Sequence, residues 1–209
     1  MRSAAAAGRG RVRERAMFKK GGNGAWTMER ADRDDPRSVL AFDIETTGLD
    51  AATCDVTCAC AYDPERGIER SFVFSQGGSP EEFMALLDEA PLLCAFNGVR
   101  FDIPFVAAKW GVTSERTGRW VRKLLDPFEA CKLALGWTFS LNRLLSVNGL
   151  EGKTGSGLDA VNMARDGRWG ELAEYCMHDT TVTHSAVAMR TLAVPAQVFS
   201  QHKRQARRF

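Results

Sequence analysis

No apolar run among these 209 residues approaches the ~20 needed to cross a bilayer, and the N-terminus lacks the continuous apolar segment of a secretory signal. Neither export nor a membrane partner is expected. The six cysteines lack the spacing of a secreted disulfide framework, which fits reduced thiols in an intracellular protein. Cys54, Cys58 and Cys60 cluster, but no Cys or His pair follows at zinc-finger spacing, so small buried thiols in a strand are favoured over zinc. Internal repeats are absent. Glu151 to Gly157, EGKTGSG, has the look of a nucleotide-binding loop, yet Val147 stands where a P-loop needs its first glycine and no apolar strand feeds it. A loop leading into a helix accounts for it better.

Acids are scarce at the chain ends. The first twenty residues hold Arg2, Arg9, Arg11, Arg13, Arg15, Lys19 and Lys20 against Glu14, and the last seven add Lys203, Arg204, Arg207 and Arg208. Taking these +6 and +4 from the net charge of +2 leaves about −8 for the body. Basic ends can hold a polyanion through sequence-independent attraction to phosphates. The Arg- and Ala-rich opening reads as an organelle-targeting peptide, a disordered basic arm, or residues upstream of a true start at Met17 or Met28. The expected compartment is accordingly a mitochondrion or another organelle in the first case, and nucleus or cytoplasm otherwise. Residues 1–37, with GGNG at Gly21 to Gly24 and a charge-dense run from Glu29 to Arg37, read as a tail; 38–195 read as one domain, and 196–209 as a basic C-terminal tail.

Within the domain, Ser38 to Glu45, Val56 to Tyr62 and Glu69 to Phe74 read as three strands of a meander. A Ser-capped helix is predicted over Ser79 to Ala90, then a short strand over Leu92 to Phe96 and a helix from Asp102 to Trp110. Helical pieces near Arg119 to Leu125, Leu141 to Val147 and Leu158 to Arg165 precede a long helix from Gly170 to about Leu192. This is an α/β pattern.

Three short motifs carry the chemistry: FDIETTG from Phe42 to Gly48, NGVRFD from Asn97 to Asp102, and YCMHD from Tyr175 to Asp179. Asp43 and Glu45 stand two apart in a strand of otherwise apolar residues, so both leave the same face. Two carboxylates that close on a buried face repel unless a proton or cation compensates, and a divalent metal with oxygen ligands is the common solution. Tyr175 and Asp179, four apart on a helix, share a face about one turn apart. Taken one at a time, Asp102 could equally cap its helix, Tyr175 sit in the core and Asp179 face solvent.

In order and content these motifs resemble the Exo I, Exo II and Exo III motifs of the DEDD superfamily of 3′→5′ exonucleases. NGVRFDIPF is similar to the Asn-x-x-x-Phe-Asp-x-Pro form, and YCMHD to the Tyr-Cys-x-x-Asp form, of B-family DNA polymerase proofreading domains. Ser140 to Lys153 is similar to the segment those domains carry before the third motif. The resemblance implies a ribonuclease H-like fold with a central mixed sheet flanked by helices. It also implies the DEDDy subclass, since the histidine subclass would want His where Glu174 stands, and His178 points about 100° away from the metal-binding acid.

By the same resemblance, two Mg²⁺ or Mn²⁺ ions would be held by Asp43, Glu45, Asp102 and Asp179. Asp43 would bridge them, Glu45 and Asp179 complete one site, and Asp102 serve the second partly through water. Tyr175 with Glu45 would align the nucleophile. Asn97 and Phe101 would shape the pocket for the terminal nucleotide, and Thr46, Thr47, Gly48 and Leu49 would contact its sugar and base edge. Arg100 and Lys153 are phosphate candidates.

The expected partner is a single-stranded nucleic acid 3′ end, DNA in preference to RNA. The chain reads as a stand-alone exonuclease domain or a subunit supplied with a polymerase or repair partner. An exoribonuclease with the same site, and an inactive nucleic-acid-binding or scaffolding module on the same fold, stay open. The basic set Arg116, Arg119, Arg122 and Lys123, interleaved with Trp120, reads equally as the lining of a single-strand channel and as an amphipathic helix with Trp120 in the core.

Overall fold

The computed structural model describes residues 16–30, 38–189 and 191–197. Its centre is a five-stranded sheet in the order β5-β4-β3-β6-β7, built from β3 (Val39–Thr46), β4 (Val56–Asp63), β5 (Ile68–Val73), β6 (Leu92–Cys94) and β7 (Leu124–Leu125). The pairs β3–β4 and β4–β5 run antiparallel while β3–β6 and β6–β7 run parallel, so the sheet is mixed. The expected meander and the ribonuclease H-like α/β architecture are both present.

Alternation along β3 divides the core. Leu40, Phe42 and Ile44 face one side with Ala59, Ala61 and Phe72. They meet helices α1 (Pro80–Glu89), α2 (Asp102–Trp110) and α3 (Ser114–Arg122) through Phe83, Leu87, Ile103, Val106 and Trp120. Phe83 is fully buried and makes edge-on contacts with Phe42, Phe72 and Trp110 at centroid separations of 6.3, 5.7 and 6.1 Å. Val39, Ala41, Asp43 and Glu45 alternate to the opposite face. The long helix α7 (Trp169–Ala188) crosses that face, after α4 (Pro127–Leu135), α5 (Leu141–Val147) and α6 (Gly157–Arg165). Its buried stripe, Leu172, Tyr175, Cys176, Asp179, Thr180, Thr183, Ala186 and Val187, follows the three-and-four spacing of one helical face. Asp179 sits inside that stripe.

Four features depart from the sequence reading. Residues 16–30, assigned there to the tail, form a hairpin of β1 (Ala16–Lys20) and β2 (Trp26–Arg30), which pairs antiparallel with β8 (Thr191–Val194) in a second sheet. The GGNG run is its turn: Gly24, at φ +81°, donates to the Gly21 carbonyl at 2.9 Å. Met28, Leu192 and Val194 are buried in the main core, which explains why these polar strands hold. The remainder of the expected tails, 1–15, 31–37 and 198–209, lies outside the described residues.

The final helix stops at Ala188, short of the predicted Leu192, because the chain beyond it is claimed by pairing with β2. Asn148 helps hold β8 by accepting from Ala193 N–H at 2.7 Å and donating to the Ala193 carbonyl at 3.0 Å. The predicted helix Arg119 to Leu125 is α3 followed by β7, and α4 was not predicted. Its signal is Asp126 as cap, with Pro127 at the first helical position and Glu129 donating its N–H to the Asp126 side chain at 3.1 Å.

Replacing Phe83 with alanine should cost about 3–5 kcal/mol of unfolding free energy, since it opens a cavity between sheet and helices. Chemical denaturation measures this, and a loss under ~1 kcal/mol would contradict the core as described.

Candidate active site

The antiparallel register sets Asp43 opposite Cys60 and Glu45 opposite Cys58, with a bulge between Glu45 and Thr46 where the motif turns out of the sheet. Asp43 is half-buried and Glu45 is buried. Cys176 of α7 lies over them: its sulfur and an oxygen from each carboxylate fall within 4.8 Å of one another. The cysteine Sγ also contacts the Asp43 main-chain carbonyl at 3.7 Å, which seats the helix on the strand.

Asp102 arrives from the side. It opens α2, and its Oδ1 accepts from the Ile44 N–H at 3.2 Å, which ties the carboxyl to the strand that carries the two β3 acids. The turn before it is anchored by a residue that sequence reasoning missed. Buried Asp126 accepts from Asn97 N–H at 3.0 Å and Val99 N–H at 3.1 Å. Asn97 is the one described non-glycine residue at positive φ, +69°, and its buried Oδ1 has no hydrogen-bond partner. Arg100, a phosphate candidate from sequence, is engaged with Glu129, which is fully buried; Nη2 donates to Oε1 at 3.3 Å and Nε pairs with Oε2. The Arg100 guanidinium thus braces the second motif from behind.

Helix α7 supplies Tyr175 and Asp179, both buried. The hydroxyl of Tyr175 and both carboxylate oxygens of Asp179 lack a directed hydrogen bond. Lys153 reaches in from the loop before α6, placing Nζ 2.6 Å from Asp179 Oδ2 and 5.6 Å from the centre of the Tyr175 ring. That loop is held by Asn142, which accepts from Lys153 N–H at 2.7 Å, and by His178, whose Nε2 is 2.9 Å from the Gly152 carbonyl. His178 therefore points to the loop and away from the acids. A cleft of ~570 Å³ opens beside Tyr175, lined by Thr154, Gly155, Asp159, Arg168, Glu174 and His178.

Electrostatics mark the acids as one group. Burial, and then the charges of Asp102 and Glu45, push Asp43 well above the ordinary carboxylate range. Burial lifts Glu45 to about 8, with Lys153 opposing and Asp179 and Asp102 adding to the rise. Asp102 is lifted to about 7 by burial, offset in part by backbone N–H groups, and Asp179 is raised by burial against the pull of Lys153. Burial raises the Tyr175 hydroxyl, keeping it protonated at neutral pH. Lys153 is depressed by burial, but Asp179 and Asp43 reverse the sign and hold it charged. Hard oxygen donors and a mutual repulsion that Lys153 offsets only in part together fit a divalent cation.

The other sequence candidates ring this cluster more loosely. Thr46 donates from Oγ1 to the Gly48 carbonyl at 2.6 Å, Thr47 Oγ1 accepts from Asp55 N–H at 2.9 Å, and Leu49 is 87% exposed at the lip. A Cβ on Gly48 would sit 2.7 Å from the Cys54 sulfur, so a larger residue there would have to turn that side chain aside. Phe101 is half-buried and rests on Phe105 at 5.5 Å. The basic set on α3 resolves to the amphipathic reading. Trp120 is buried and donates to Asp88 Oδ1 at 2.7 Å, Arg116 pairs with Asp88 at 2.7 Å, and Lys123 donates to the Asp88 and Ala90 carbonyls.

A family model for the RNase H superfamily matches residues 40–185, which takes in all three motifs. No curated protein matches the sequence. Among solved structures, the chain is similar to the family B DNA polymerase from the hyperthermophilic archaeon Pyrobaculum calidifontis, with 17% identity and a TM-score of 0.57. The alignment covers 74% of this chain and 24% of the polymerase chain, so the likeness is one of fold over about a quarter of that protein.

The raised acids fix a sign for pH dependence without divalent cations. Unfolded carboxylates release protons near their ordinary values, whereas folded Glu45 and Asp102 keep theirs to about 8 and about 7. Between those limits the folded state binds more protons, so stability falls as pH rises. In chelator, the melting temperature should drop from pH 5 to pH 8, and Glu45→Gln should flatten the slope. A rising profile in calorimetry would contradict the cluster.

Proposed function

The chain belongs to the RNase H superfamily, and from that membership and its buried acidic cage we propose a metal-dependent 3′→5′ exonuclease of the DEDDy type. Its substrate is the terminal phosphodiester of a single-stranded or frayed DNA 3′ end, and its product a nucleoside 5′-monophosphate. The observation that carries this reading is the convergence of Asp43, Glu45, Asp102 and Asp179, from three separate motifs, on one site where burial raises every carboxyl and Lys153, 2.6 Å from Asp179, is a single cation against them. DNA is favoured because the second and third motifs resemble the polymerase proofreading form and because the fold is shared with a DNA polymerase chain.

Two divalent cations, Mg²⁺ or Mn²⁺, would supply Lewis acidity at the scissile phosphate and neutralise charge on the attacking and leaving oxygens. The residues do the rest. Asp43, central among the acids, would contact both cations, with Glu45 and Asp179 completing one site and Asp102 the other. Tyr175 keeps its proton on Oη and orients the attacking water by hydrogen bonding. Glu45 accepts from that water. Lys153 neutralises Asp179 before cations bind, and lies within reach of a phosphate oxygen. The half-buried Phe101 offers a ring for the terminal base, and the cleft beside Tyr175 gives the chain a solvent-open approach to the hydroxyl.

Matched 5′-labelled DNA and RNA oligomers, incubated with Mg²⁺, Mn²⁺ or chelator, test the reading. Metal-dependent laddering of DNA from the 3′ end is expected. Laddering of RNA alone would transfer the reaction to RNA, and shortening of neither would leave a binding module. Asp43→Ala should abolish cleavage, and Tyr175→Phe should retain a residue of activity reduced by roughly 10²- to 10⁴-fold. Unimpaired cleavage by Asp43→Ala would reject the assignment.

A further inference from the structure

Behind the acids lies a second cluster that the reaction does not use. Cys58 and Cys60 leave β4 on the face covered by α7, and Cys176 descends from that helix between them. The three sulfurs lie within 4.8 Å of one another, and none of the three residues is exposed to solvent. None forms a disulfide. From the sequence, Cys58 and Cys60 had no partner at a recognisable spacing; the fold provides one from the third motif.

Three sulfurs bonded to one ion at about 2.3 Å each stand about 4 Å apart; the observed trio, within 4.8 Å, reaches a common centre by side-chain rotation. The surroundings fit such a centre. Ala160, Ala164 and Leu172 line the cluster with small or apolar groups, and Ser71 Oγ stands 3.3 Å from the Cys60 sulfur, where its hydroxyl can donate to a thiolate. The Cys60 sulfur also contacts the Ala173 carbonyl at 3.7 Å, a weak bond that a thiolate would give up. The Cys176 sulfur also lies within 4.8 Å of carboxylate oxygens of Glu45 and half-buried Asp43, so the thiols adjoin the acids.

We propose that Cys58, Cys60 and Cys176 form a binding site for one thiophilic d¹⁰ divalent cation, of the Zn²⁺ and Cd²⁺ class, distinct from the oxygen cage beside it. Binding replaces three S–H bonds with three sulfur–metal bonds and releases three protons, with no change of oxidation state. Soft sulfur and hard oxygen donors sort the two kinds of cation between adjacent sites, so excess Mg²⁺ fills the carboxylates without displacing the thiophilic ion. Cys176 lies between Tyr175 and Asp179 in the chain, so the occupied thiol site also fixes the helical turn that carries both.

The probe is Cd²⁺ alone, titrated into the reduced full-length protein in excess Mg²⁺ and followed by the ultraviolet sulfur-to-cadmium charge-transfer band. Saturation at one equivalent is expected, with a cadmium NMR shift in the range of three-sulfur coordination. Cys60→Ser and Cys58→Ser should each weaken binding by more than the roughly 10- to 100-fold lost with an outer-shell partner. Cys54→Ser, outside the trio, should leave binding unchanged. Near-ultraviolet circular dichroism of each variant establishes that it is folded. Absence of the band, its persistence in Cys60→Ser, or its appearance only with loss of the native dichroism would overturn the proposal. Because the readout is spectroscopic, this result stands or falls separately from nuclease activity.

Discussion

Repulsion among four clustered carboxylates, three of them buried and Asp43 half-buried, is the constraint around which the rest of the structure is arranged. Asp43, Glu45, Asp102 and Asp179 are each pushed upward by burial, and their mutual charges add to the push on Asp43 and Glu45. A cluster of this kind persists only if packing elsewhere holds it, since an uncompensated buried charge costs several kcal/mol. The hydrophobic sandwich on the opposite face of the sheet, centred on Phe42, Phe72 and Phe83, supplies that hold.

Each acid has its own brace. The β3 pair is held along one edge by β4, opposite Cys60 and Cys58, while β6 pairs only with Val39 to Ala41 just before it. Asp102 is tied to the Ile44 N–H, and its preceding turn is pinned by Asp126, itself lifted to about 6 by burial against three backbone donors. Asp179 is delivered by the apolar stripe of α7 and met by Lys153. Lys153 is a single charge facing several, so it lessens the repulsion without ending it. The raised Asp43 and Glu45 carboxyls express the remainder.

The legible parts of this arrangement were those encoded by local period. Alternation along Val39 to Thr46 gave the shared face of Asp43 and Glu45, and four-residue spacing gave that of Tyr175 and Asp179. Parts that depend on distant pairing were not legible. The hairpin was hidden by its polar composition, because its burial comes from Leu192 and Val194 at the far end of the chain. Strand β7 has two residues, too few to show any period. The engagement of Arg100 by Glu129, the approach of Lys153 to Asp179 and the meeting of Cys176 with Cys58 and Cys60 all follow from chain reversals that no local spacing records. The Asp-Pro-x-Glu start of α4 was readable as a helix cap, and would have found Asp126.

Sulfur and oxygen thus share one face of one sheet, with Cys176 common to both groups. The account depends most on the oxygen side, where cations must relieve the repulsion. Anomalous diffraction from crystals grown with Mn²⁺ tests this most directly. The account predicts manganese peaks bounded by the carboxylates of Asp43, Glu45, Asp102 and Asp179, with Lys153 Nζ withdrawn from Asp179. Peaks elsewhere, or an Asp179 carboxylate bonded to Lys153 with no metal near Asp43, would contradict it.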